Sequence, residues 1–374
     1  MMERRKNLND KFGFVEIMEY TSIGESCSVV SGGTPSRSKN EYWENGNIPW
    51  IKIGNIKSKY VNEYDELITV QGLNNSSAKL LKKGTILYTI FATLGEVGIL
   101  DIEACTNQAI AGINITNPRI TTDYLYYYLK SKKDYVNNIG RGVAQNNINL
   151  TTLKNFEIPL IDVDKQLNIV EILEKVERMI CLKEKEIDDL NLLIKARFVE
   201  MFCHKGYTVL EWNDVFNTRT GKLDSNAATE NGKYPFFTCS KDILYIDDFG
   251  FDQEALLLAG NNAAGKYDVK YYKGKFNAYQ RTYVLTLRGN WSYQLFRYQL
   301  EDKLEYLRQQ SLGGLTKYLT MKILGELSFI IPPIEKQKEF ELFVQQVDKS
   351  REEVRKSLEK TQQLYDSLMQ EYFG

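Results

Sequence analysis

Lys165-Gln166 and Lys336-Gln337 stand 171 residues apart, and at that offset the residues around them fall into register. Val176 aligns with Val347, Ile187 with Leu358, Leu193 with Leu364, and Glu200-Met201-Phe202 with Glu371-Tyr372-Phe373. Upstream, Leu153 meets Leu324 at the same offset, and Ile158-Pro159 meets Ile331-Pro332 with a two-residue shift. Asn45-Gly46-x-x-Pro49-Trp50 corresponds to Asn231-Gly232-x-x-Pro235-Phe236, and Ser31-Gly32 to Thr220-Gly221. Gly140-x-Gly142-x-x-Gln145 sits where Gly313-Gly314-x-x-Lys317 sits. A chain written as two diverged copies of one design folds as two similar bodies, each followed by the same second element.

That second element is a long helix. Steps of four and three from Ile169 visit Leu173, Val176, Ile180, Lys183, Ile187, Leu190, Ile194, Arg197 and Met201. The same steps from Phe340 visit Val344, Val347, Arg351, Val354, Leu358, Thr361, Tyr365, Leu368 and Tyr372. Each set is apolar except at two positions, with charges on the remaining faces, which is the pattern of a coiled-coil seam. Pro159 and Pro332-Pro333 precede the two runs, where proline is tolerated. About 38 residues at 1.5 Å each give roughly 57 Å per helix. Neither is stable alone, so the two are expected to pack on each other as an antiparallel coiled coil through these apolar positions. Between them, short β-rich runs (Ile48–Ile53, Thr85–Phe91, Ala255–Leu258, Tyr283–Leu287) alternate with turns and helical patches around Thr122–Lys130 and Tyr293–Arg308. The expected class is α+β. The expected plan is a tail at 1–14, a mixed domain at 15–157, a helix at 158–206, a second mixed domain at 207–330 and a second helix at 331–374.

Composition removes several classes of function. No apolar run approaches the ~20 residues of a bilayer span. Met1–Lys11 has no apolar core of a secretory signal, so a cytoplasmic protein without membrane contact is expected. Cys27, Cys105, Cys181, Cys203 and Cys239 form no CxxC pair, which fits reduced thiols. His204 is the only histidine and belongs to no visible triad or four-ligand zinc set, so no metal and no catalytic residue is expected. The 48 basic residues are balanced by 49 acidic ones. Any nucleic-acid contact must therefore use local patches or a partner's help.

Three local features could make such contacts. Gly260-Asn261-Asn262-Ala-Ala-Gly265-Lys266 has P-loop spacing, but Tyr267 replaces the magnesium-binding hydroxyl and the following Asp268–Lys273 reads as strand. A turn presenting amides and Asn side chains to DNA is the preferred reading. Lys266–Arg281 interleaves five basic residues (Lys266, Lys270, Lys273, Lys275, Arg281) with aromatics, suited to phosphates and grooves, or to a solvated hairpin with an aromatic inner face. The corners Ser31-Gly-Gly33-Thr34-Pro35 and Gly140-Arg141-Gly-Val-Ala-Gln145-Asn146 place Arg, Gln and Asn beside flexible backbone, where they can contact bases or simply form loops.

Several stretches resemble the DNA-specificity (S) subunits of type I restriction-modification systems. They are Ser31–Pro35 with Tyr42-Trp-x-x-Gly46-x-Ile-Pro-Trp-Ile-Lys52-Ile-Gly-Asn55-Ile56, then Gly84-Thr-Ile-Leu to Gly95-x-x-Gly98 with Asn107-Gln108, then Gln145-x-x-Ile-Asn149-x-x-x-Leu153-x-x-Phe156-x-Ile-Pro159. The likeness covers nearly the whole chain in the right order. It departs in the second half, where Pro235-Phe-Phe-Thr stands for Pro49-Trp-Ile-Lys. The resemblance implies two target-recognition domains in tandem, each reading one half of a split, asymmetric target in double-stranded DNA, with the helices setting the unspecified spacer. It implies a chain without catalysis or cofactor of its own. Such a chain recruits two modification subunits, which use S-adenosylmethionine, and restriction/translocase subunits, which use ATP and magnesium. The expected DNA contacts are Ser31, Gly33, Thr34, Lys52, Asn55, Thr93, Arg141, Gln145 and Asn146 in the first half. In the second half they are Lys222, Asn261, Asn262, Lys266, Lys273, Arg281 and Lys317. The alternatives are an S subunit of a related system with modification and cleavage on one partner chain, a nucleotide-dependent enzyme using Gly260–Lys266, and a coiled-coil scaffold without a DNA role.

Overall fold

A computed structural model describes residues 19–140, 147–203, 205–262, 265–314 and 316–374. The tail 1–14 and His204 lie outside the described residues. The chain divides into two compact units, Met1–Leu182 with Leu358–Gly374, and Lys183–Ser357. The division falls inside both long helices, which run over Val163–Phe202 and Ile334–Phe373. Among the described residues no helix is long and apolar enough to cross a membrane.

Each unit is α+β and follows the same plan. In the first, Tyr20–Ser22 pairs antiparallel with Glu157–Pro159, the strand that leads to the long helix. A five-stranded sheet runs Cys27–Ser31, Ile110–Ile115, Ile86–Thr89, Val97–Leu100, Tyr60–Val61. Ile48–Ile51 pairs antiparallel with Glu66–Ile68 and parallel with Cys105–Thr106. In the second unit Thr208–Glu211 pairs with Ser328–Ile331. A six-stranded sheet then runs Phe216–Thr220, Thr282–Leu287, Phe251–Ala259, Val269–Ala278, Tyr234–Phe237, Leu244–Ile246. The repeated Asn-Gly turns show why the copies agree. Asn45 (φ 56°) and Asn231 (φ 64°) both adopt the left-handed conformation, which asparagine tolerates better than other side-chain-bearing residues. Each turn feeds the strand whose Trp50 or Phe236 is buried.

The paired Lys-Gln dipeptides are explained by a buried clamp. Gln166 is fully buried, and its Oε1 accepts from the Thr121 N–H at 2.9 Å. Its Nε2 donates to the carbonyls of Arg119 (2.6 Å) and Ile161 (2.9 Å). In the second unit the Gln337 Oε1 accepts from the Ser292 N–H (2.9 Å), and its Nε2 donates to the Pro332 carbonyl (2.8 Å). Thr121 and Ser292 are the N-caps of the helices Thr122–Ser131 and Tyr293–Asp302. Both lie 171 residues apart, as do Ile161 and Pro332. A buried amide is tolerated only when its hydrogen-bonding groups are matched, so the glutamine fixes where each long helix starts relative to its globular body.

All twenty seam positions are buried or half-buried. In the first unit Leu173, Val176, Ile180 and Leu368 join a core with Tyr365 and Phe373. In the second, Leu190, Ile194, Val344 and Val347 pack with Met201, Phe202 and Phe340. Within each unit one helix's start therefore meets the other's end, the antiparallel pairing expected from the sequence. Ile187, Val354 and Leu358 are half-buried.

One ionic knot fastens the first unit. Glu177 accepts from Tyr127 Oη (2.6 Å), Tyr365 Oη (2.8 Å) and Lys130 Nζ (2.6 Å). Burial pushes its carboxyl up, but Lys130 and the two hydroxyls outweigh this and hold it below the usual glutamate range.

Gln166→Ala leaves three backbone groups unpaired and is expected to cost about 3 kcal/mol, read as a lower urea midpoint for the first unit. Glu177→Gln should cost about 2 kcal/mol at pH 7, between the figures for exposed and buried pairs. Because the folded value is depressed, the native advantage exists above the unfolded value and disappears as pH falls through the folded one. Native and variant midpoints should therefore converge in acid.

Candidate nucleic-acid interface

Segments that carry several of the expected DNA contacts are joined along a rim in each unit by matching backbone hydrogen bonds. In the first unit the Gly32 N–H donates to Ile110 O (3.0 Å), Ile90 to Ala109 O (2.8 Å) and Ile148 to Ile90 O (3.1 Å). In the second, Gly221 donates to Thr282 O (3.4 Å), Gly260 to Arg281 O (2.9 Å) and Leu319 to Gly260 O (2.8 Å). Gly95 (φ 80°) and Gly265 (φ 64°) complete the match. The side chains differ at equivalent places. Lys222 stands for Gly33, Asn261 for Phe91, Lys266 for Glu96, Arg281 for Ala109 and Tyr318 for Asn147.

The second rim is open and cationic. Lys222, Lys266 and Arg281 are exposed, Lys317 is half-exposed, and none of the four is in an ion pair among the described residues. Asn261, Arg281, Thr316 and Tyr318 line a depression of about 490 Å³. Asn261–Asn262 is a short strand paired with Lys317–Tyr318. The Asn262 side chain accepts from the Lys266 N–H (3.2 Å), so it shapes the turn. The chain then enters the strand Val269–Ala278, so no helix N-terminus follows the Gly-rich turn, in line with the sequence reading. Lys273 is elsewhere, paired with Glu254 (3.0 Å), and Lys275 lies over the Phe249 ring (4.6 Å). The basic run thus divides between rim and sheet.

The first rim is mostly scaffold. Gly33 is buried, its N–H donates to Thr106 O (2.8 Å), and its carbonyl accepts from Trp50 Nε1 (2.9 Å). Asn55 is buried; its Oδ1 accepts from the Lys52 N–H (2.8 Å) and its Nδ2 donates to Asp65 (3.1 Å). Lys52 pairs with Glu66 (2.7 Å), and that hydrogen bond raises its pKa. Ser31 hydrogen-bonds to its neighbour's carbonyl, Thr34 donates to Gln108, and Thr93 is exposed beside Ala92 (φ 61°). Arg141, Gln145 and Asn146 lie outside the described residues. Sequence reasoning passed over Arg37, whose guanidinium lies 3.6 Å over Trp43 and pairs with Glu66 at 2.5 Å. The only signal was a basic residue two places after the Gly-Gly-Thr-Pro corner.

The family model described as "Type I restriction modification DNA specificity domain" matches residues 16–192 and 204–361. The chain is 35% identical over 134 residues to the EcoDI specificity subunit of Escherichia coli, covering 35% of this chain and 29% of that protein. It is 29% identical over 251 residues to the MjaIX specificity subunit of Methanocaldococcus jannaschii, covering 59% and 56%. These alignments thus span about a third and about half of those relatives. The crystal structure of a type I restriction-modification S subunit from M. genitalium has the same fold, with TM-score 0.55 and 18% identity over 97% of this chain and 98% of that one.

A Cβ on Gly33 would lie 2.3 Å from Ser77 Oγ and 2.4 Å from Ala78 N, whereas one on Gly54 would meet nothing within 4 Å. Gly33→Ala is therefore expected to cost about 1–3 kcal/mol of stability and Gly54→Ala little, as compared by thermal unfolding.

Proposed function

This chain belongs to the type I restriction-modification DNA specificity family, and from that premise we propose that it reads a split, asymmetric duplex target, one half-site per unit. The observation that carries the reading is the repeated rim. One backbone scaffold occurs twice with different side chains, so two different short sequences are selected within one polypeptide. A homodimer's two-fold symmetry would impose a palindrome instead. Arg281, Lys266, Lys317 and Asn261 serve the second half-site by base and phosphate contacts, with Thr34, Thr93 and the loop holding Arg141 and Gln145 serving the first. The near-balanced charge of the chain supports a reader that relies on partners to clamp the duplex.

In this proposal the chain is a non-catalytic, cytoplasmic subunit without a cofactor. It directs two modification subunits, which supply adenine methylation from S-adenosylmethionine, and ATP- and magnesium-dependent restriction subunits. The two 40-residue helices set the length of the unread spacer.

Co-expression with the modification subunit of the same genome, followed by single-molecule mapping of methylated adenines, tests the reading. One split, asymmetric motif is the expected result, and a stable DNA-binding complex that methylates nothing contradicts it. Arg281→Ala should alter preference at one half-site, by about ten- to a hundredfold against the best base. Equal weakening on every sequence would assign Arg281 to a phosphate. Deleting seven residues from each seam should change the spacer and leave both half-sites as they are, and an unchanged spacer would refute the role given to the helices.

A further inference from the structure

The second unit holds a cationic depression away from the residues the sequence singled out. Its strands Phe216–Thr220, Thr282–Leu287 and Phe251–Ala259 lie side by side, with Arg219 opposite Val284 and Asn217 opposite Thr286. In the first unit the same places hold Val30 opposite Gly112 and Ser28 opposite Asn114. There the face is filled. Leu81 lies against Gly112, its Cδ1 2.7 Å from where a Cβ would stand, and packs in one apolar cluster with Val30 and Leu87. The asparagine is also engaged, since Asn114 accepts from Thr85 at 2.7 Å.

The second copy does not repeat this. Phe251 stands where Leu81 does, paired to Phe276 as Leu81 bridges to Ala104. It stacks on the Phe276 ring, with centroids 5.1 Å apart and planes 13° from parallel. Beside it opens a depression of about 410 Å³ lined by polar side chains, Arg219 and Arg288 among them, with Val284 the one apolar contributor. No carboxylate lines it. Glu254, next along from the lining residue Gln253, is held by Tyr271 (2.8 Å) and Lys273 (3.0 Å). Arg219 is exposed, and neither arginine is in an ion pair among the described residues. Arg288 donates its Nε to Phe216 O at 3.2 Å. The Thr218 side chain faces the other side of the strand, where its hydroxyl accepts from the buried Trp212 Nε1 (2.9 Å).

We propose that this depression binds a backbone phosphate of the target duplex beside the half-site read by the second rim. The proposal rests on the recognition function given above. Two guanidiniums, two amides (Asn217, Gln253) and the Thr286 hydroxyl offer donors to an anion. No aromatic side chain lines the site, so there is no platform for a stacked base. Arg219 lies three residues before Lys222 of the rim. Three residues span at most roughly 10 Å, the rise of about three base pairs. The contact extends the footprint without adding sequence information.

The test uses the full chain assembled with its modification partner, titrated with its target duplex over a range of salt. Arg219→Ala is expected to weaken binding about tenfold. It should also lower the slope of log affinity against log salt by about 0.9, with base preferences unchanged. Asn217→Asp, at an exposed position, should weaken binding further by repulsion. Neutral methylphosphonates placed singly along the flank should weaken the native complex at one position and leave Arg219→Ala indifferent there. Native affinity and slope in both variants would overturn the proposal. So would a changed base preference, which marks base contact, or failed assembly with unchanged DNA affinity, which marks an acidic protein partner. A native complex with no sequence preference would sink the recognition reading, and the phosphate site with it. Native discrimination beside unaffected variants sinks the phosphate site alone.

Discussion

A buried side-chain amide with matched partners sets the geometry of each half of this chain. Gln166 and Gln337 lie at the start of the long helices, where backbone groups lack intrahelical partners. Each glutamine takes a backbone N–H from the N-cap of a short helix and gives its own N–H groups to carbonyls just upstream. Three segments are thereby fixed at one point: the short helix, the strand that closes the globular body, and the first turn of the long helix. The seam adds to this hold in the first unit, since Leu173 and Val176 share one apolar core with the sheet residues Ile86, Tyr88 and Ile113.

Around that fixed point the two copies use different chemistry in the same places. Glu177, Tyr127, Lys130 and Tyr365 form an ionic knot in the first unit. The positions 171 residues along, or back for Tyr365, hold Asp348, Tyr298, Glu301 and Ile194. There Tyr298 packs on Phe198 and Phe340, and Asp348 turns to Arg351. Burial raises the Glu301 carboxyl, and Arg297 opposes it. A half-buried ionic knot in one unit and an aromatic cluster in the other thus occupy matched positions. Lys130, which pairs with Glu177, is replaced at its matched position by an acid, Glu301.

The rims follow the same logic. Their backbone bonds repeat, so the scaffold tolerates divergence at the side chains that point away from it. In the first rim much of the polar chemistry is spent on the scaffold itself, with Asn55 closing a turn and Lys52 held by Glu66. In the second rim Lys222, Lys266 and Arg281 remain exposed.

What the sequence determined by itself was everything periodic or repeated. The seam is legible because burial every three or four residues is a local consequence of helix geometry, and no seam position proved exposed. The duplication, the Asn-Gly turns and the fold class are legible because a copied design leaves copied residues. Tertiary structure alone decided which polar residues are free. Nothing near Asn55 in the sequence announces that its amide closes on Lys52 and Asp65, and Lys273 meets Glu254 only through a strand pairing across nineteen residues. Arg219 was not singled out from the sequence. It lines an open depression on a face that the first copy covers with Leu81 against Gly112, while Phe251 stacks on Phe276. Such outcomes depend on non-local contacts, and whether a side chain is spent on the scaffold or left for a ligand is settled only when those contacts form.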